Sequence, residues 1–284
     1  MIPSDFEVPN QWNEINTDQL TDTIIVIGHP DSGKSTMVQW LFNRLCQVHP
    51  SVGWLDGDIG QTTLGVPTTI NLALFDRAKD PYPYLAATIF VGSTSPRGHM
   101  SPLLDGLHRL QKLALAANTE ALIVDTTGMI GEHAGGDILK KNKIELLRPS
   151  TIIALQREQT LEHIVTPLKT DLSVNIHVFN SSEFVVRKSP EERARRRRIR
   201  FHRYFKSTSQ HQIQQDALPV FGPQPVKNSL MAFQDKMGFT LALGVVLSIS
   251  PEAMEILTPL SDLSNVASLC FGAIRVDPFT GEEL

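Results

Sequence analysis

The sequence predicts an α/β protein: a parallel sheet with helices on both faces, followed by a small β-rich domain. Three observations carry this. Short β-branched and apolar runs alternate with segments of helical periodicity across residues 23–180, as strands joined by helical crossovers do. A glycine-containing stretch, "GHPDSGKST" (28–36), lies between the first strand-like run and the first helix-like one. Beyond residue 217 the helical pattern gives way to strand-like runs separated by Pro and Gly turns.

The elements follow in order. An N-terminal segment, 1–22, precedes "TIIVIG" (23–28), a β-branched run ending in glycine that reads as a buried strand. Met37, Trp40, Leu41, Leu45 and Val48 recur at three- and four-residue steps, a helix. "VGWLDGD" (52–58) and "ATIFVGS" (87–93) read as the second and third strands, and "LLDGLHRLQKLALAA" (103–117) as an amphipathic helix. "EALIVDTTG" (120–128), "STIIALQ" (150–156) and "VNIHVFN" (174–180) are further strands, separated by the helix-like "GDILKKNKIELL" and "EQTLEHIVTPL". "SPEERARRRR" opens a helix over about 189–206. Ser189 is its N-cap, Pro190 its first residue, and Glu191 and Glu192 lie in its first turn. The Pro-rich "ALPVFGPQPV" marks a boundary, so a domain over 23–212 carrying that helix is expected, with a β-rich domain over 217–284. Within the latter, "SLMAFQDKMGFTLALGVVLSI" reads as a hairpin turning near Lys236, Met237 and Gly238.

Composition sets the class. The 284 residues are 41% hydrophobic and 20% charged, an ordinary globular balance. No window approaches the ~20 apolar residues a membrane span needs, and the N-terminus has no apolar signal core. Cys46 and Cys270 are the only cysteines, too few for a disulfide framework or the usual zinc site. A cytoplasmic protein without membrane attachment is expected. Residues 187–206 hold 10 of the 26 basic residues against two acids, which leaves the remainder at −12. An acidic body with one basic segment points to a single focused anion site.

"GHPDSGKST" matches the phosphate-binding loop pattern, with the required strand before it and helix after it. Gly28, His29, Pro30, Asp31, Ser32, Gly33, Lys34, Ser35 and Thr36 would cradle the phosphates of a nucleoside triphosphate through backbone N–H groups and the helix dipole. Lys34 would reach the β- and γ-phosphates, and the Ser35 hydroxyl would hold Mg²⁺. "WLDGDIGQTT" (54–63) ends the second strand with Asp56 and Asp58, and Gln61 follows; two carboxylates there could divide support of Mg²⁺ from acceptance of a hydroxyl proton. "LIVDTTG" also ends a strand in a carboxylate, Asp125. Position alone does not choose between Asp56 and Asp125 for the metal.

Taken together these motifs resemble the polynucleotide 5′-hydroxyl kinase family, which includes the kinase of mRNA 3′-end cleavage and tRNA splicing and a nucleolar relative in ribosomal RNA processing. Four elements carry the resemblance: "GHPDSGKST", "DGDIGQ", the clasp-like "FVGSTSPRGH" (90–99) and the lid-like "RARRRRIRFHRYF" (193–205). It extends into "LTPLSDLSNVASLCFGAIRVD", similar to that family's closing β-domain. The resemblance implies an ATP- and Mg²⁺-dependent kinase acting on RNA or DNA 5′-hydroxyl ends. It implies Asp58 as general base, with Gln61 in the catalytic set and Thr94 and Ser95 in the clasp. Thr127 and Met129 are assigned to substrate; the family often carries tryptophan where Met129 stands, a stronger stacking surface for a base.

In the basic helix, Arg193 and Arg197, or Arg196 and Arg200, share a face by i,i+4 spacing. The expectation is that Arg193 and Arg197 neutralise the transferring phosphoryl group, while Arg196, Arg200 and the others follow a nucleic-acid backbone. Phe201, Tyr204 and Phe205 would dock the helix. His29, His99 and His133 read as loop or surface residues, and only His99 adjoins the clasp. Two other functions remain as alternatives: an ATP-binding scaffold without turnover, and a GTPase suggested by "DTTG". The late strand, however, ends "VFNSSEF" without the guanine-reading Asn/Thr-Lys-x-Asp.

Overall fold

A computed structural model describes residues 8–131, 135–170, 173–182, 185–214 and 216–284. The chain forms two compact units. The first comprises Met1–Asp58, Leu72–Ala86 and Met100–Lys188, and the second Ile59–Asn71, Ala87–His99 and Ser189–Leu284.

The first sheet and its helices comprise β1 (Asp22–Gly28), α1 (Lys34–Val48), β2 (Ser51–Gly57), β3 (Thr69–Asp76), β4 (Asp80–Phe90), α2 (Met100–Ala116), β5 (Ala121–Thr126), α3 (Gly136–Leu147), β6 (Thr151–Gln156), α4 (Glu162–Val165) and β7 (Asn175–Asn180); the start of β3 and the end of β4 fall within the residue ranges of the second unit. The seven strands form one sheet in the order β4-β3-β2-β5-β1-β6-β7. β1 pairs in parallel with β5 and β6, β2 with β5, and β6 with β7. Ile24, Ile25, Val26 and Ile27 are all fully buried, as are Ile123 and Val124. Unbroken apolar runs of this kind mark strands covered on both faces.

Two expected elements differ. The strand placed at 87–93 is the end of a longer one, β4, and the chain leaves it after Phe90. Val91 and Gly92 turn their N–H groups to the Thr68 carbonyl (2.8 and 3.3 Å), and Gly92 adopts φ +78°. β3 has no counterpart among the expected strands, because polar Thr69 and Asn71 break up "TINLALFD", which is nonetheless buried along almost its whole length. In "EQTLEHIVTPL" only α4 is α-helical; a 3₁₀ turn, Thr166–Thr170, follows, where Pro167 supplies no N–H.

The second unit carries the remaining elements: α5 (Pro190–Tyr204), β8 (Ser209–Gln214), β9 (Val220–Phe221), β10 (Ser229–Gln234), β11 (Thr240–Ile249), β12 (Ala253–Thr258) and β13 (Ser268–Arg275). They form a six-stranded sheet in the order β8-β12-β11-β10-β13-β9. β10 and β11 make the expected antiparallel hairpin. Along β10 the alternation of period two separates two cores. Met231 and Phe233 join Val246, Met254, Ile256 and Phe271 in one cluster. Leu230 and Ala232 join Leu243, Val245, Phe90, Phe201, Phe205 and Val276 in the other.

That second cluster redraws the domain boundary. The basic helix was expected inside a 23–212 domain, apart from 217–284. Instead α5 lays Phe201 and Phe205 against one face of the C-terminal sheet, and the Leu243 N–H donates to the Tyr204 hydroxyl at 2.8 Å. A sheet face with nothing over it would leave that apolar surface in water. The helix begins as its sequence requires, with Ser189 accepting from the Glu192 N–H (3.2 Å) and Glu192 from the Ser189 N–H (2.7 Å).

Phe201 is fully buried, so Phe201→Ala should lower stability by about 3–5 kcal/mol, read by urea titration followed by far-UV circular dichroism. A loss under ~1 kcal/mol would mean that α5 is not anchored through this ring.

Candidate active site

In the first unit the phosphate loop connects β1 to α1. Gly33 stands at φ +93° immediately before α1, a left-handed conformation that L side chains strain to adopt. Lys34 is buried, and its Nζ donates to the His29 carbonyl at 2.5 Å. Burial lowers the Lys34 pKa, opposed by the carboxylates of Asp125, Asp58 and Asp31. Asp31 accepts from the Lys188 N–H (3.0 Å) and pairs with its ammonium (3.5 Å), while its carbonyl accepts from Arg157 (3.1 Å). His29 is half-buried, and desolvation followed by the Lys34 charge lowers its pKa. The Ser32 hydroxyl is buried among the described residues without a hydrogen-bond partner. His133 lies outside the described residues.

The register of the sheet brings the two candidate carboxylates together. Asp56 on β2 and Asp125 on β5 are Cα partners on adjacent parallel strands, and both side chains are buried. Ser35 on α1 donates its hydroxyl to Asp125 Oδ2 at 2.8 Å. The Thr126 N–H donates to Asp125 Oδ1 at 2.8 Å. Burial first, and the Asp56 charge second, raise the Asp125 pKa. Asp56 Oδ1 accepts the N–H of half-buried Asp58 at 3.2 Å. The two acids thus lie side by side at the ends of neighbouring strands.

Among the described residues no three His, Cys, Asp or Glu side chains gather as a metal cage. Mg²⁺ beside phosphates does not require one, since it keeps most of its water and uses one or two protein oxygens. Two buried carboxylates next to a serine hydroxyl suit that role.

The Thr126-Thr127-Gly128 turn packs close to the phosphate loop. A Cβ on Gly128 would stand 2.6 Å from the Pro30 backbone, so only glycine allows the approach. Thr127 Oγ1 is buried without a partner among the described residues, while Met129 is half-buried.

Two residues of this region were not singled out by sequence. Lys140 and Lys143 lie on the covered side of α3 with Leu139, Ile144 and Leu147. Lys140 donates to Thr126 Oγ1 (2.8 Å) and to the Thr127 carbonyl, which ties down the turn after Asp125. Lys143 Nζ is fully buried with no hydrogen-bond partner among the described residues, and burial lowers its pKa to about 8. Their three-residue spacing beside that apolar stripe was the available signal.

The second unit holds the residues expected to form a clasp and a lid. Thr94 and Ser95 are half-buried, and the Ser95 N–H donates to Ser93 Oγ at 3.1 Å. His99 Nδ1 meets the Arg97 carbonyl at 2.9 Å. Gln61 donates its amide to the carbonyls of Gly60 (2.8 Å) and Arg193 (3.3 Å), which links the "DGDIGQ" element to the lid backbone. Along α5, Arg193, Arg197 and Arg200 are half-buried, whereas Arg195, Arg196 and Arg198 are exposed. Arg197 pairs with Glu283, and Arg200 donates to the Gly65 carbonyl at 2.9 Å. Arg196 and Arg200, grouped by spacing, therefore differ in environment: Arg200 leans towards the face that Phe201 anchors.

The family model described as mRNA cleavage and polyadenylation factor CLP1 P-loop matches residues 28–207. A polyribonucleotide 5′-hydroxyl-kinase of Pyrococcus abyssi is 28% identical, over 92% of this chain and 89% of its own. One of Methanocaldococcus jannaschii is 29% identical, over 92% and 88%. Among solved structures, a wild-type Clp1p–Pcf11p complex contains a chain of similar fold, with a TM-score of 0.73 at 13% identity, covering 93% of this chain and 77% of that one.

Lys143 supplies a test of the buried charge. Its folded pKa, about 8, lies below the ordinary 10.5, so the folded state binds fewer protons between those values. The resulting cost is complete below about pH 8 and fades as pH rises towards 10.5. Lys143→Met should accordingly stabilise the protein at pH 7 by about 3 kcal/mol, with the gain shrinking in urea titrations at higher pH. An unchanged or lower stability at pH 7 would show that the amine has a compensating anion.

Proposed function

The chain belongs to the mRNA cleavage and polyadenylation factor CLP1 P-loop family, and from that premise we propose that it is an ATP-dependent polyribonucleotide 5′-hydroxyl kinase. The observation that carries the reading is the gathering of Lys34, Ser35, Asp56 and Asp125 at the ends of β1, β2 and β5. The archaeal relatives' activity and their coverage of nearly the whole chain support it.

In the proposed reaction the RNA 5′-hydroxyl oxygen attacks the γ-phosphorus of ATP. The bond from that phosphorus to the β,γ-bridging oxygen breaks, ADP departs, and the hydroxyl proton passes to the Asp58 carboxylate. Lys34 holds negative charge on the β- and γ-phosphates, where it is needed most as the bridge breaks. Ser35, Asp56 and Asp125 would hold Mg²⁺, which supplies charge neutralisation to the phosphates. The burial of these carboxylates, with Ser35 bonded to Asp125, supports that assignment. Thr94, Ser95, Thr127 and Met129 are assigned to substrate, and the α5 arginines to the transferring group and the RNA backbone.

The direct test is transfer of labelled γ-phosphate to 5′-hydroxyl oligonucleotides of RNA and of DNA. Lys34→Ala should reduce transfer by about 10²–10³, and Asp58→Asn should slow it while ATP still binds, since an amide does not accept the proton. ATP binding without transfer in the wild-type chain would leave a scaffold instead.

The lid adds a separate expectation. Substituting half-buried Arg193 or Arg197 by alanine should mainly lower kcat. Substituting exposed Arg195 or Arg198 should mainly raise the KM for the oligonucleotide and flatten its salt dependence. A uniform, small, salt-sensitive loss at every position would mean a diffuse basic patch.

A further inference from the structure

One carboxylate in the second unit engages the lid and the clasp at once. Glu283 Oε1 accepts from Arg197 Nε, and Glu283 Oε2 accepts from the Thr94 hydroxyl at 3.4 Å. No motif of the sequence includes Glu283, and the reaction proposed above does not use it.

The carboxylate is firmly placed. Glu283 forms an isolated antiparallel bridge with Val276, itself fully buried in the cluster beneath α5. Between them the chain turns on Asp277, whose carboxylate accepts the N–H groups of Phe279 (2.8 Å) and Thr280 (3.0 Å). The turn lies along α5: the Phe279 carbonyl meets His202 Nδ1 at 2.7 Å, and the Thr280 carbonyl accepts from Arg198 Nε at 3.4 Å. A Cβ on Gly281 would stand 2.2 Å from the Arg198 carbonyl, so this contact is backbone against backbone. Glu283 thus reaches Arg197 from a segment fixed to the sheet and to the helix.

The geometry of the pair matters more than its charge. The carboxylate takes the Nε edge of the guanidinium, and the two Nη groups have no partner among the described residues. Those groups form the fork that grips phosphate oxygens. A charge-assisted bond at Nε sets the plane of the ring of donors without occupying the fork. The Arg197 and Glu283 side chains are 19% and 26% exposed, so solvent screens the bond less than at an open surface. Misplacement of a catalytic group by about 1 Å can cost ~10²-fold in rate, which gives such a brace a kinetic role.

We propose that Glu283 is a positioning residue for phosphoryl transfer: its carboxylate orients the Arg197 guanidinium and couples it to clasp residue Thr94. The inference rests on the kinase reading and on the lid role of Arg197.

The test is steady-state transfer to a 5′-hydroxyl oligoribonucleotide by the full chain, with Glu283→Ala, Glu283→Gln, Arg197→Ala and the double variant Glu283→Ala/Arg197→Ala. Glu283→Ala should lower kcat about 10-fold while the KM for ATP stays within about 2-fold. Glu283→Gln should recover much of that loss, because the amide oxygen still accepts from Nε. The double variant should be no slower than Arg197→Ala alone, since the carboxylate acts through the arginine. Thermal melting of each variant separates this from a folding defect: equal loss of kcat and of folded protein would overturn the inference. Multiplying losses in the double variant, or wild-type kcat in Glu283→Ala, would also overturn it. A rise in kcat would show instead that the carboxylate competes with phosphate. Wild-type transfer by Arg197→Ala would overturn the lid role and this inference together, and no transfer by the wild-type chain would overturn the kinase reading itself.

Discussion

Two carboxylates buried opposite each other are the constraint on which the first unit depends. Asp56 and Asp125 face one another across β2 and β5 because parallel pairing puts both strand ends at one level. Like charges so placed repel strongly where water is excluded. The surrounding groups answer that repulsion. The Ser35 hydroxyl and Thr126 N–H bond to Asp125, and Lys34 lies in the same field. Lys140 then holds the chain just beyond Asp125 in place. The phosphate loop also takes part in this arrangement, since Gly128 of the same turn fits against Pro30.

Such a site carries stored cost. Each buried lysine or carboxylate has lost hydration that hydrogen bonds restore only in part. Lys143 is the plainest instance, a fully buried ammonium with no hydrogen-bond partner among the described residues. Buried charges with shifted pKa values cluster at functional sites. The energy of this site is matched by the apolar strands on which it stands, where Ile24, Ile25, Val26 and Ile27 are all fully covered.

The second unit answers a different need. A helix with so many arginines does not stay in place through its charges; Phe201 and Phe205 fasten it to the C-terminal sheet. That docking divides the arginines. Arg193, Arg197 and Arg200 are half-buried, Arg197 bonded to Glu283 and Arg200 to the Gly65 carbonyl, while Arg195 and Arg196 are exposed. The basic run is therefore a structured element with two sides, which accords with the single anion site inferred from the uneven distribution of charge.

Local sequence sufficed wherever the chemistry is local. The phosphate loop, the Ser189 cap, the turn of the β10–β11 hairpin and the family resemblance all lie within short windows, because each depends on neighbouring residues. β3 escaped notice since polar Thr69 and Asn71 interrupt its apolar run, although the fold buries both. The partnership of Asp56 with Asp125 belongs to the tertiary structure, as 69 positions separate them and only strand register brings them level. The same holds for α5, whose capping announced a helix but whose companion is the sheet beyond it. Lys140, Lys143 and Glu283 look like ordinary surface charges in one dimension. Burial distinguishes the two lysines and a distant partner distinguishes Lys140 and Glu283, and both exist only once the chain has packed.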